Sequence, residues 1–527
     1  MRDNYFDIII LGSGISALTT VARIVDETKN FRIAIISRGN GASYFVDALN
    51  AVTPENPYGD TVQKYAKDMF EVGCYLNDKQ LVLKMCQEAY RCVKRLEQWG
   101  INFEKEGNQY ILHRTSGSSF PRTLFQISMP IGKSIILNLR KKLIDKGVKF
   151  IDKTSCIKLL IDENKIIGIT TKNSFKNYYQ NFYASTIVIA WGGIGNLYPY
   201  STYPNDIDGR SISIAFDAGL ELLDVEFVEF EPLVILWPIE LKGQPCPTAL
   251  LGDSAYLRNK DLERFILKWR NKGESGAPKT LINRAGIEEI ARGKGTIHGG
   301  FYYDLRDVPP SVLENYRWFY QKLKKANINY QKDLLEVGLA AHSHSGGIKV
   351  NEFFQTKVNG LYAVGEATGG IHGACRLGGN SSTQALVSGI IAAEKILRNG
   401  VFKDFENLKI KEIQKTYKID KKICQSINLK VQDIINKSLG FCRNKKDLEK
   451  CIKKLKHLLK SDYLLKDIYT KQLILSTLLI ANSALLREES RGNHNRLDFP
   501  NLSEDWQCSI AISRSSDGNI QWEKITH

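Results

Sequence analysis

The segment Phe6 to Ala17, FDIIILGSGISA, constrains the fold more than any other stretch of the chain. An apolar run ending at Leu11 meets Gly12, Ser13 and Gly14, and a helix-like stretch follows through Val25. Gly12, Gly14 and Ala17 thereby satisfy G-x-G-x-x-G/A between a predicted strand and a predicted helix. The first glycine makes a tight turn, the second lets the backbone approach a pyrophosphate, and amides at the helix N-terminus hold that anion. A second apolar run, Arg32 to Ser37, completes strand, turn, helix, strand. A plain NAD site places an acidic residue at the end of that second strand, whereas Ser37 and Arg38 stand there, which favours FAD held partly by other loops.

The remaining order of elements predicts an interrupted nucleotide domain. Residues 60–98 and 132–146 have helical spacing, and 148–171 and 183–190 are β-rich. Residues 222–345 mix short strands with charged helices and a Gly, Lys and Pro loop near 271–279. Strand and glycine-loop character returns from Gly346 to about Ile396, and the last stretch is expected to be mostly helical. Lys and Arg number 73 against 57 Asp and Glu, for a net charge of +16. The excess is spread through a Lys-, Asn- and Ile-rich chain and is not read as a nucleic-acid site. No apolar run reaches the roughly 18–20 residues of a membrane span, and the ten scattered cysteines form no CxxC pair, so a cytoplasmic protein is expected.

The segment from Leu361, LYAVGEATGGIHGACRLGGNSSTQALVSG, resembles the second flavin-binding segment of the succinate dehydrogenase, fumarate reductase and L-aspartate oxidase flavoproteins. Further segments match in family order: IVIAWGGIGNLYP from Ile187, NDIDGRSISIAFDAG from Asn205, EFVEFEP from Glu226, HSHSGGIKVN from His342 and SALLREESRGNHNRLDFP from Ser483. The resemblance implies an α/β fold, with a Rossmann-like FAD-binding domain (1–225 and 346–400) interrupted by an α+β capping domain (226–345) and followed by a C-terminal helical domain (401–527). The cofactor set it implies is Gly12, Gly14, Ala17, Ser37, Arg38, Asn40, Gly41, Ala190, Gly192, Asp208, Glu366, Arg376, Gly379, Asn380, Ser381 and Ser382. Glu366, at the end of a strand, is suited to accept hydrogen bonds from ribitol hydroxyls, and Gly378 and Gly379 permit close approach. Relatives with covalent FAD carry a histidine after the second strand. The stretch RGNGASYFVDALNAV has none, which implies non-covalent FAD.

Arg376 matches the family arginine that grips a substrate carboxylate, a task suited to the two parallel donors of a guanidinium. His342 matches a histidine that binds the same group. In isolation these residues also fit an interdomain salt bridge and a satisfied core histidine. His344 and His372 are expected to support loops. Two departures are clear. The family's R-G-E-G-G segment aligns with LGDSAYLRNKDLERF, which puts Leu251 in place of the proton-shuttle arginine and Asp253 in place of the glutamate. The Q-F-H-P-T segment reads Glu229, Phe230, Glu231, Pro232, Leu233, so a carboxylate replaces a substrate-binding histidine. Glu231 would repel a second substrate carboxylate by several kcal/mol at low dielectric, which disfavours a standard dicarboxylate.

Two readings of Glu231 stay open: a general base or partner for a cationic or hydrogen-bond-donating substrate group, or a structural carboxylate paired with Arg292 or Lys294. Arg258 and Arg264 are candidates for a displaced guanidinium. In the tail, Arg487, Glu488, Arg491, His494 and Arg496 are expected to tie the C-terminal helices to the other domains. Residues 443–460 form an amphipathic basic helix, read as a bundle helix with a solvated face in preference to a contact for a membrane or an acidic partner protein.

The resulting expectation is an FAD-dependent oxidoreductase that moves hydride between flavin N5 and a small carboxylate. Arg376 and His342 orient the acid, and Glu231 handles a proton or a polar group. The alternatives are an L-aspartate oxidase forming iminoaspartate, and a flavoprotein that relays electrons to a separate electron-transfer subunit.

Overall fold

Five short parallel strands carry the N-terminal fold, in the order Leu361–Ala363, Thr186–Ile189, Ile8–Leu11, Ile33–Ile36, Lys149–Ile151. Every residue of the three central strands is buried. Parallel strands covered on both faces cannot alternate, so they read as unbroken apolar runs. The structure is a computed structural model that describes residues 2–174, 178–400, 421–460 and 467–526. Helix Ile15–Glu27 packs along helix Asn380–Asn399, distant in the chain. The approach is close because Gly389 has no Cβ: one placed there would lie 2.5 Å from the Ser16 carbonyl oxygen. Thr20 Oγ1 donates to the Gly389 carbonyl across that contact at 3.1 Å. The two glycine-led segments are thereby held side by side.

The insert has an antiparallel sheet of its own, in the order Val228–Trp237, Leu335–His344, Phe301–Asp304, Tyr256–Arg258. It also has its own apolar core, with Phe265, Phe301, Tyr303, Leu313 and Phe319 fully buried. Its two long strands enter and leave the insert side by side, pairing Glu229 with Ser343 and Glu231 with Ala340. Residues two apart on a strand share a face, so Glu229 and Glu231 project together. The register breaks between Glu231 and Val234, where Pro232 has no N–H to give the ladder.

The tail is helical at Lys421–Ser438, Lys445–Leu459 and Ile468–Leu486, and these helices share the core of the nucleotide domain. Leu448, Cys451, Ile452 and Leu455 are buried, and Leu458 and Leu459 pack at the edge, as a bundle helix requires. Residues 401–420 of the expected tail lie outside the described residues. The chain then departs from the helical expectation: Ser509–Arg514 and Ile520–Ile525 form a hairpin that adds to Leu222–Leu223 and Gly347–Ile348. No helix among the described residues is long and apolar enough to cross a membrane.

Arg487, Arg491, His494 and Arg496 are all buried in a tail network, as expected. Glu488 is exposed, and its neighbour Glu489 is the acid that both Arg487 and Arg491 engage, at 3.1 and 2.7 Å. Side-chain direction decides this, since the helix ends at Leu486 and adjacent residues on the extended backbone that follows face opposite ways.

Candidate functional site

A cavity of about 2180 Å³ runs from the Gly12 turn to the two long strands of the cap. It exceeds the roughly 300–1,000 Å³ of a single small-ligand pocket, leaving room for a cofactor and a second molecule. Of the predicted cofactor set, Gly12, Gly14, Ser37, Arg38, Gly41, Ala190, Gly192, Asp208, Glu366, Arg376, Gly379, Ser381 and Ser382 line it. Three do not. Ala17 is fully buried within its helix, Asn40 is exposed, and Asn380 is buried with its side-chain oxygen accepting from Asn50 Nδ2 at 2.7 Å and the Tyr65 hydroxyl at 2.6 Å. Asn380 therefore braces the loop behind the cavity wall.

The wall has the chemistry of a dinucleotide cradle. Gly12 turns at φ +118°, and a Cβ there would lie 2.2 Å from the Ala190 carbonyl oxygen, so no side chain fits. The N-termini of helices Ile15–Glu27 and Asn380–Asn399 both open on the cavity, through Gly14 and through Gly379, Ser381 and Ser382. Asp208 is bracketed by Arg38 and by Arg210, whose Nε donates at 2.8 Å. Burial pushes the Asp208 carboxyl up, but the two guanidinium groups outweigh it and hold it below the usual range. Arg210 in turn donates to Gln472 at 2.9 Å and stacks on Tyr469, which ties the cradle to the tail. Glu366 accepts from the Gly193 amide at 3.2 Å, the His344 amide at 3.0 Å and the Tyr203 hydroxyl.

Among the residues lining the cavity at the cap end are Arg376, His342, Glu229, Glu231 and Lys279. Arg376 bridges one register pair, with Nε donating to Ser343 Oγ at 3.2 Å and Nη2 to Glu229 Oε1 at 3.1 Å, while Nη1 has no partner among the described residues. His342 Nδ1 lies 2.9 Å from Thr202 Oγ1, which leaves Nε2 without a protein partner among the described residues. Burial pushes the His342 pKa below that of an ordinary histidine, so the ring is neutral near pH 7. His344 Nε2 bonds to the Val225 carbonyl at 3.0 Å and His372 Nε2 to Gln384 at 2.8 Å, the supporting roles expected of both.

Lys279 is not singled out by the sequence. It opens helix Lys279–Glu289 after Pro278, and Asn283 on that helix donates to the Phe230 carbonyl at 2.9 Å. That bond sets the helix against the Glu229–Glu231 strand and brings Lys279 Nζ to 2.6 Å from Glu231 Oε2 and 3.9 Å from Glu229 Oε1. Burial lowers the Lys279 pKa, but the two carboxylates outweigh it and leave it above the usual lysine value. The partner of Glu231 is thus Lys279, not Arg292 or Lys294. Arg292 pairs with Glu288 one helical turn away, and Lys294 with Glu263 at 2.8 Å. Arg258 and Arg264 are equally engaged elsewhere, each 2.6 Å from its partner, Asp304 and Glu274. Leu251 is buried in the apolar core of the cap at the cavity wall, and Asp253 is exposed. Position 251 therefore carries no charge at the cavity wall, and the carboxylate at 253 faces solvent.

Residues 7–382 match the FAD binding domain family, and residues 428–527 match the fumarate reductase flavoprotein C-terminal family. The chain belongs to the succinate dehydrogenase, fumarate reductase and L-aspartate oxidase flavoprotein family. It is an FAD-dependent oxidoreductase. Within this family the chain is 27% identical to one component of the fumarate reductase (CoM/CoB) of Methanothermobacter marburgensis, over 97% of each chain. It is 31% identical to the L-aspartate oxidase of Saccharolobus solfataricus, over 94% of this chain and 97% of that one. Its fold is that of E. coli quinol fumarate reductase FrdA, with a TM-score of 0.85 at 22% identity over 99% of this chain and 96% of that chain.

Proposed function

We propose that this flavoprotein acts on a small carboxylate that is not a standard dicarboxylate, in a reaction completed by proton transfer through Lys279. The single observation that carries this reading is the cluster at the cap end. A guanidinium with one free nitrogen and a histidine with one free nitrogen share a cavity wall with a lysine paired to a carboxylate. The glycine turn, the two helix N-termini and Glu366 would hold FAD non-covalently, since no histidine lies between Arg38 and Val52. When bound, FAD supplies a two-electron hydride acceptor or donor.

The residues of the chain do the rest. Arg376 Nη1 and His342 Nε2 orient the acid by donating to its carboxylate. Lys279 holds a proton at Nζ beside the site, and the Glu231 carboxylate, 2.6 Å away, keeps it charged.

Two measurements test this reading. Acid precipitation is expected to release all of the flavin into the supernatant; flavin that stays with the pellet would disprove non-covalent binding. Lys279→Met is expected to keep its flavin and lose about 10²-fold in turnover on whichever acid an anaerobic screen of small acids identifies. Turnover unchanged in that variant would remove Lys279 from the reaction.

A further inference from the structure

The charges at the cap end narrow the substrate class. Arg376 and Lys279 are two cations, and Glu229 and Glu231 are two carboxylates, each buried to 5% exposure. Each carboxylate uses one oxygen, Glu229 Oε1 toward Arg376 and Glu231 Oε2 toward Lys279. The other two oxygens, Glu229 Oε2 and Glu231 Oε1, are buried and have no hydrogen-bond partner among the described residues. Both residues line the cavity. A buried acceptor left unpaired is costly, more so when charged, so two of them from one strand face mark where donors belong.

We infer that the substrate is a short amino acid, whose protonated amine meets Glu229 Oε2 and Glu231 Oε1 while its single carboxylate meets Arg376 and His342. This rests on the reading of Arg376 as a carboxylate clamp. A zwitterion adds no net charge to a balanced set of two cations and two anions. A dicarboxylate instead puts its second negative charge beside the two existing carboxylates, where like charges repel. The amine also supplies up to three N–H donors, enough for both orphaned oxygens, where a second carboxylate supplies none.

The test uses the flavin-loaded protein and three probes of matched length: succinate, 4-aminobutanoate and 2-aminobutanoate. Binding is read by the shift of the visible flavin spectrum and by calorimetry. At least one aminobutanoate is expected to bind about tenfold or more tightly than succinate. Glu231→Gln and Glu229→Gln, each checked first for full flavin content, are expected to weaken that amino acid about tenfold and to leave succinate no weaker. Succinate binding more tightly than both amino acids would overturn the inference and leave the carboxylate clamp standing. Amino acid affinity unchanged in both variants would overturn it equally. If none of the three probes binds, the clamp itself is wrong, and the proposed function falls with the inference.

Discussion

Arg487→Met is expected to destabilise the protein by about 3–5 kcal/mol, the cost of removing one partner from a buried ion pair. Arg487 is fully buried and serves three carboxylates, with Nε 2.7 Å from Glu226, Nη1 3.1 Å from Glu489 and Nη2 3.4 Å from Asp224. It also caps the Trp506 and Cys508 carbonyls at 3.0 Å each. Asp224 and Glu226 lie where the chain leaves the nucleotide domain for the cap, so this one side chain pins hinge, tail helix and C-terminal hairpin together. Methionine fills the volume and leaves the three acids facing one another.

The pH dependence has a definite sign. Burial and Glu226 raise the Asp224 carboxyl to about 7, so the folded protein holds a proton that the unfolded chain releases near 4. Its contribution is therefore most favourable at low pH and declines as pH rises through about 7. Without the counter-charge of Arg487 the carboxyl of the folded protein rises further and the decline extends to higher pH, so the deficit of the variant is expected to be larger at pH 8 than at pH 5.5. Urea midpoints at the two values measure it, and Glu226→Gln added to Arg487→Met should restore part of the loss. A deficit below about 1 kcal/mol at both pH values would show that the network is not what holds the tail.

The sequence reveals the segments whose conformation is local. The Gly12 turn, the buried parallel strands and the Leu361 segment are legible because glycine positions and unbroken apolar runs have few other uses. Arg376 and His342 are legible by resemblance, and the structure brings them to one cavity wall. Lys279 is not, because its role depends on a helix docking against a strand 48 residues earlier in the chain. The available signal is a lysine directly after Pro278, at the start of a helix, at the end of the loop near 271–279. Charge alone points Arg292 and Lys294 toward Glu231, and nearer acids claim both. The closing hairpin escapes the sequence because its second strand is mostly exposed and its apolar residues are few. Glu489 is hidden beside Glu488 because which of two adjacent acids faces inward depends on the backbone path after the helix ends at Leu486.

Arg376→Ala should lower turnover about 10³-fold or more, the scale of losing a preorganised charged donor at a reacting group. Arg376 sits where the Glu229 and Ser343 strands meet, and its Nη1, unpartnered among the described residues, is a charged donor open to a ligand at the cap end. The substitution also leaves Glu229 without its guanidinium. Burial would then raise that carboxyl from its present lowered value, so Arg376→Ala combined with Glu229→Gln separates lost charge balance from the lost clamp. The flavin is expected to remain, because the Gly12 turn and the helix N-termini do not depend on this side chain. The decisive measurement is anaerobic flavin absorbance in the wild type and in Arg376→Ala, each mixed with the acid that changes the flavin redox state of the wild type. Equal flavin content with a redox change only in the wild type is the predicted result. An undiminished rate of flavin reduction or oxidation in Arg376→Ala would contradict the account.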